Sequence, residues 1–289
     1  MRRALRLLAA ALAVPLAAVA LGACGGDDDS AGPETTSATD PSAEGAGCTT
    51  DETGPLQLVI VNDDGVINPA LDVLIDRLAE EDDLDLDVTV VAPADERSGS
   101  SDTTTPGGAT YVEATTPGGN TAYSVDGYPA DAVVVALDDL GLEPHLVVSG
   151  INPGQNFGTF ASLSGTVGAA RTAIRRDVPA LAVSAGPEFD QAQFEAGADL
   201  AVEWIEDNCD ALITREHQTD TLASINVPAC APEQMGPLQE VPRALEMPAL
   251  PEGENIFAST CDLADPAPAD DVAAVRSGYP SLTQVEADI

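Results

Sequence analysis

An apolar hexapeptide, Leu56-Gln57-Leu58-Val59-Ile60-Val61, runs directly into Asn62-Asp63-Asp64-Gly65 and then into the stretch from Pro69 to Glu80, where Leu71, Leu74, Ile75 and Leu78 recur at helical spacing. A short apolar run bounded by turn residues reads as a buried strand, and Pro69 stands where a first helical turn tolerates proline. The same alternation continues downstream. DVTVVA (Asp87 to Ala92), HLVVSG (His145 to Gly150), Pro179 to Ser184 and LASINVP (Leu222 to Pro228) read as further strands. Asp131 to Leu140, Gly165 to Arg176 and Phe189 to Asn208 read as helices between them. Strands alternating with amphipathic helices predict an α/β domain with a mainly parallel sheet. Thr103 to Ser124, rich in Thr, Gly and Pro, reads as a surface excursion with short β-like pieces around Tyr111 and Tyr123. Past Pro228 the periodicity fades.

Composition narrows the function. The 289 residues carry 49 acids against 11 basic residues, all of them Arg, for a formal charge of −38, and only 3% are aromatic. The core must therefore be built from Ala, Val, Leu and Ile. A surface this acidic repels nucleic-acid polymers and anionic lipid headgroups. A small phosphorylated substrate remains compatible, because one bound cation reverses the sign locally. Residues 1–23 place Arg2, Arg3 and Arg6 before an Ala/Leu/Val run that ends in Leu21-Gly22-Ala23-Cys24. This is a secretory leader, and its end resembles the lipobox of bacterial lipoproteins, which predicts lipidation at Cys24. The expected organisation is a signal peptide over 1–23, a flexible acidic tether over 24–55, and a domain over 56–289 with a C-terminal extension. An exported envelope protein, held on the membrane through its lipid alone, follows.

With Cys24 set aside, Cys48, Cys209, Cys230 and Cys261 remain, an even number in an exported chain, which predicts two disulfides. Three pairings are open. A helix ending near Cys209 returns to the amino-end side of the sheet, where Cys48 precedes the first strand. Cys48–Cys209 and Cys230–Cys261 are therefore expected.

Ligands of open α/β sheets bind at the carboxyl ends of the strands, and four polar clusters follow strands or open helices here. They are Asn62-Asp63-Asp64-Gly65, the loop APADERSGSS with Ser98 and Gly99, SGINPGQNFG with Asn152 and Asn156, and SLSGTVGAA with Ser164, Gly165 and Thr166. Each alone has an ordinary reading: Asn, Asp and Gly make turns, and Ser or Thr caps helices. Together, carboxylates, a hydroxyl and an amide oxygen form the donor set that hard divalent cations take. A helix N-terminus offers N–H groups to a phosphate.

LVIVNDDGV, VVAPADERSGSS, GYPADAV, HLVVSGINPGQN, SGTVGAA, INVP and SGYPSLT, in this order from about Leu56 to Thr283, resemble the SurE-type survival-protein phosphatases, which are metal-dependent 5'/3'-nucleotidases. The resemblance implies a Rossmann-like three-layer α/β sandwich. It implies one divalent ion, Mg2+ or Mn2+, held by Asp63, Asp64, Ser98 and Asn152, with Asn156, Ser164, Gly165 and Thr166 at the phosphate. It also implies hydrolysis of nucleoside monophosphates by in-line attack of a water that one Asp orients or deprotonates, and assembly as a homodimer or homotetramer. An aspartyl nucleophile is the alternative to water. His145, where the family has an acid, reads as structural, and Tyr128 replaces a small hydroxyl residue. The competing functional readings are a lipoprotein that binds a nucleotide or metal without turnover, and an exported phosphatase of broad specificity.

Overall fold

The structure is a computed structural model, and it describes residues 54–81, 84–186, 190–263 and 268–288, all within one compact unit, 45–289. The predicted leader, Cys24, Cys48 and nearly all of the predicted tether lie outside the described residues. The strands are β1 (Leu56–Val61), β2 (Leu86–Pro93), β3 (Thr110–Thr115), β4 (Thr121–Asp126), β5 (Leu146–Pro153), β6 (Ala180–Ala185), β7 (Thr221–Asn226), β8 (Gln239–Glu240) and β9 (Ser281–Glu286). They form one sheet in the order β3-β4-β2-β1-β5-β6-β7-β9-β8, with β4, β2, β1, β5, β6 and β7 all parallel. The helices are α1 (Ala70–Ala79), α2 (Pro129–Val134), α3 (Gly165–Ile174), α4 (Gln191–Ile213) and α5 (Asp271–Ser277).

Strand alternation sorts the core into two layers, because successive side chains point to opposite faces. Leu56, Leu58 and Ile60 of β1 join Leu146 and Val148 of β5 beneath α1 and α4, where Leu71, Leu74, Phe194, Ala201 and Ile205 meet them. Val59 and Val61 join Val147 on the other face, beneath α2 and α3. Every residue of α3 is buried. Its Gly/Ala-rich sequence suits a helix enclosed on all sides.

Several elements depart from the sequence reading. The excursion over 103–124 is a hairpin: β3 pairs antiparallel with β4, and β4 joins the main sheet parallel to β2. Five of the six residues of β3 are exposed, so no apolar alternation marks it. The helix predicted over 131–140 stops at Val134 and widens into a π-helical turn, Val135–Asp139. Helix α4 runs beyond Asn208, since Cys209 and Leu212 continue the buried stripe of Ile205. Beyond Pro228 lie β8, α5 and β9, and β9 pairs antiparallel with β7. His145 accepts the Gln57 N–H on Nδ1 at 2.9 Å, at the amino end of the sheet, a structural contact as expected.

Residues beyond Pro228 share a third, small core with the segment that follows β5. Phe157, Ala244, Val272 and Val275 are buried together, and Phe160, Met247, Ile256 and Phe257 pack against them. Asp271 on α5 pins it, accepting N–H groups from Gly158 and Ala244 at 2.8 Å and from Val272 at 2.9 Å. The expected disulfide Cys230–Cys261 is present, with Cα atoms 5.9 Å apart. Cys209 is disulfide-bonded as well, and its expected partner, Cys48, lies outside the described residues.

Candidate functional site

From β1 the chain builds outward through β2 to the hairpin, then crosses back to place β5 on the other side of β1. The strand order reverses there, and a crevice at such a point is where open α/β sheets hold ligands. Asp63 and Asp64 follow β1, and Asn152 lies near the carboxyl end of β5.

The turn after β1 is made by Asn62. Its Nδ2 donates to the Gly65 carbonyl at 3.0 Å and its Oδ1 accepts the Gly65 N–H at 3.2 Å. An Asx turn of this kind needs one side chain, so neither aspartate is required to form it. Asp63 is buried. Its Oδ1 accepts from the Thr166 hydroxyl at 2.7 Å, and its backbone carbonyl accepts the Arg97 N–H at 2.7 Å. The second bond docks the loop after β2 onto the end of β1. Asp64 is half-buried, and its Oδ2 is buried with no hydrogen-bond partner among the described residues.

These environments raise both carboxyl pKa values. Burial raises Asp63, against the opposing Thr166 hydrogen bonds. Asp64 is pushed up to about 8, first by burial and then by the negative charges of Asp63 and Glu96. Among the described residues no guanidinium answers this charge. Arg97 donates to the Gly127 carbonyl at 3.1 Å and stacks 5.8 Å from the Tyr128 ring centroid. Arg171 donates to the Ser101 hydroxyl at 2.8 Å. Two adjacent carboxyls thus meet within the negative field of Glu96, and one carboxylate oxygen faces no hydrogen-bond donor among the described residues. Among the described residues no cluster of three or more His, Cys, Asp and Glu side chains forms a metal cage. An ion here would sit on two carboxylates and neutral oxygens, the donor set of a hard divalent cation. The residues present fit such an ion.

Asn152 donates through Nδ2 to the Gly154 carbonyl at 2.6 Å, which leaves its Oδ1 available. A register shift between Ser149 and Asn152 re-aims this strand end, as bulges beside sites commonly do. Gly150 permits it: φ is +139°, and a Cβ there would lie 2.3 Å from the Val183 carbonyl oxygen. Ser98 is exposed on the loop after β2, its N–H bonded to Glu96 Oε1 at 2.6 Å.

The start of α3 is divided between two duties. Ser164 caps the helix, its hydroxyl accepting the Val167 N–H at 3.1 Å. Thr166 addresses Asp63, so the positive end of the helix dipole supports a carboxylate before any ligand arrives. Gly165 packs directly on that carboxylate: a Cβ there would lie 2.7 Å from Asp63 Oδ2 and 2.9 Å from the Ser100 hydroxyl. Asn156 donates its side-chain amide to Ser184 at 2.9 Å and its backbone N–H to Asn226 Oδ1 at 2.6 Å. Asn152, Asn156 and Ser164 line one cavity of about 190 Å3 with Gly99, Phe160, Leu163 and Phe257. A larger cavity of about 280 Å3 lies at the amino end of β1, but its acids, Asp87 and Glu143, are exposed.

Four polar residues here escaped the sequence reading. Glu96 and Ser100 sit in the same loop after β2 as Ser98, and nothing in their spacing sets them apart from it. Ser184 and Asn226 end β6 and β7, and the strand-end rule that found Asn152 applies equally to them.

Comparison with known proteins agrees with this architecture. The family model "Survival protein SurE" matches residues 58–244, leaving 245–289 outside it. The chain is 34% identical over 259 residues to a protein named 5'-nucleotidase SurE from Prochlorococcus marinus (strain MIT 9303), covering 81% of this chain and 92% of that one. A protein of the same name from Synechococcus sp. (strain CC9605) is 35% identical over 258 residues, with the same shares covered. The crystal structure of SurE protein from Aquifex aeolicus shares the fold, with a TM-score of 0.63 and 24% identity over 81% of this chain and 94% of that one. On the extent of these matches, the chain belongs to the SurE survival-protein family.

Proposed function

We propose that this chain is a metal-dependent phosphomonoesterase of nucleoside 5'- or 3'-monophosphates, exported and tethered through Cys24. The observation that carries the reading is the unpartnered, buried Asp64 Oδ2 beside Asp63 and Glu96 at the reversal of strand order. The relatives named 5'-nucleotidase SurE support the substrate class. Asp63, Asp64, Asn152 and Ser98 would hold a divalent cation, Mg2+ or Mn2+. Such an ion supplies Lewis-acid polarisation of a phosphoryl oxygen and acidifies water.

The chain's own residues divide the remaining work. Asp63 is fixed by Thr166 and is the positioned ligand. Asp64 keeps an oxygen free of protein donors, so it is the carboxylate able to take a proton from the attacking water. The Ser164 hydroxyl and the Asn156 amide line the cavity and, with the Gly165 N–H at the start of α3, would supply the donors that charge on a phosphate's equatorial oxygens requires. The test is release of inorganic phosphate from adenosine 5'-monophosphate with Mg2+ or Mn2+ against a chelated control. Cation-dependent release supports the reading. Metal or nucleotide binding without turnover, across a panel of phosphomonoesters, would replace it with a binding lipoprotein.

A further inference from the structure

The chain has five phenylalanines in 289 residues, and three of them gather beside the candidate site. Phe157 is fully buried and forms the base. Phe160 and Phe257 are half-buried above it, their ring centroids 5.1 Å apart and their planes tilted by 32°. Leu163, 59% exposed, extends the same apolar surface. Phe160, Leu163 and Phe257 line the cavity that Asn152, Asn156 and Ser164 also line. One small cavity therefore has a polar end, made by Asn152, Asn156 and Ser164, and an aromatic wall. In a chain otherwise so acidic, a neutral aromatic surface selects a planar, uncharged group.

We infer that the Phe160–Leu163–Phe257 wall seats the nucleobase of the substrate, making Phe257 a specificity-determining residue supplied by the C-terminal extension; this deepens, and rests on, the phosphomonoesterase reading above. The wall is a held surface. Arg276 on α5 donates to the Asn255 carbonyl at 3.1 Å, and Ser259 donates to the Val275 carbonyl at 2.8 Å. Two residues further on, Cys261 is tied to Cys230. Asp271 fixes Gly158, next to Phe157, to the same helix. The contacts of Asn255, Ser259 and Cys261 clamp the segment carrying Phe257, and that of Gly158 holds the base beneath it, so the ring is presented without being ordered at the moment of binding.

The experiment compares adenosine 5'-monophosphate with ribose 5-phosphate, which share the phosphoester and differ in the base. In the wild type kcat/KM favours the nucleotide. Phe257→Ala lowers the ratio of the two kcat/KM values by about tenfold, in line with one lost stacking contact, mainly through KM for the nucleotide. Phe257→Trp restores the ratio. Leu163→Ala, at an exposed position, lowers it in the same direction without risk to folding. Equilibrium dialysis of adenosine needs no turnover: the wild type binds it more tightly than ribose, and Phe257→Ala removes the difference. Equal losses for both substrates, or equal binding of adenosine and ribose, overturn the inference. Hydrolysis of both phosphates without preference overturns it while leaving the phosphomonoesterase reading intact. Adenosine binding that depends on Phe257 with no phosphate release from either ester supports the wall and removes the enzyme reading.

Discussion

Replacing Asp64 with Asn keeps the shape of the side chain and removes the charge that the surroundings oppose. The carboxyl ordinarily titrates near 3.8 and is pushed up to about 8 by burial and by Asp63 and Glu96. At pH 7 the unfolded chain carries it ionised, whereas the metal-free fold holds it protonated. The three or so pH units between ordinary titration and neutrality set a ceiling of about 4 kcal/mol on the cost of folding. The carboxyl is half-buried, and water reaching it screens that figure to roughly 1–2 kcal/mol. Because the folded pKa is the higher one, this stability is present in full below about pH 4 and is lost as pH rises through 8. Metal-free Asp64→Asn therefore melts about 3–6 °C above the metal-free wild type at pH 7.5, with a shallower decline between pH 5 and 8. Mg2+ or Mn2+ reverses the order, raising the wild-type Tm most at high pH and leaving the variant nearly unmoved. Phosphatase activity of the variant falls by at least about a hundredfold, as expected for lost transition-state charge stabilisation. Calorimetry with and without the cation, run beside a phosphate-release assay, reads all three. A variant that melts lower without metal, or that keeps both its metal response and its activity, refutes the reasoning.

Gly165→Ala places a methyl 2.7 Å from the Asp63 carboxylate and 2.8 Å from its Cβ, so Asp63 must shift: activity drops at least about tenfold and Tm falls as well, and a variant that keeps full activity would show that the position of Asp63 does not matter. Gly150→Ala meets the Val183 carbonyl at a φ of +139°, and chemical denaturation should show a loss of about 3 kcal/mol or more. Breaking Cys230–Cys261, whose ends are 31 residues apart, costs about 3 kcal/mol, read as a lower denaturation midpoint under reducing conditions. Non-reducing peptide mapping finds Cys48 joined to Cys209. Mass spectrometry of the membrane fraction finds acyl chains on Cys24, and Cys24→Ala releases the protein; a wild-type chain already soluble would count against the anchor.

The parallel half of the sheet was legible because strands buried on both faces are near-continuous apolar runs, as in Leu56 to Val61 and Leu146 to Val148. The hairpin was not, since β3 lies on the sheet edge with exposed side chains and its pairing comes from β4. Helix α4 was cut short at Asn208 because polar residues there hide Cys209 and Leu212, whose burial depends on packing. At the site, two adjacent acids after a strand pointed to their own position. The division of labour within the turn did not show: only coordinates reveal that Asn62 closes it, or that Thr166 turns to Asp63. Asn226 needed knowledge of which strands are neighbours, and Phe257 needed the path of an extension with no readable periodicity.

The small core under α5 shares no buried side chain with the two layers that flank the sheet. The acid pair follows β1 and is held by Thr166 of α3, whereas Phe257, one side of the aromatic wall, comes from residues that follow β8. Selection can therefore act on one without disturbing the other: exchanging the segment around Asn255 to Ser259 alters what lies against the far end of the cavity while the carboxylates keep their places. A common hydrolytic floor with a replaceable wall is a route by which lineages of one enzyme come to prefer different leaving groups.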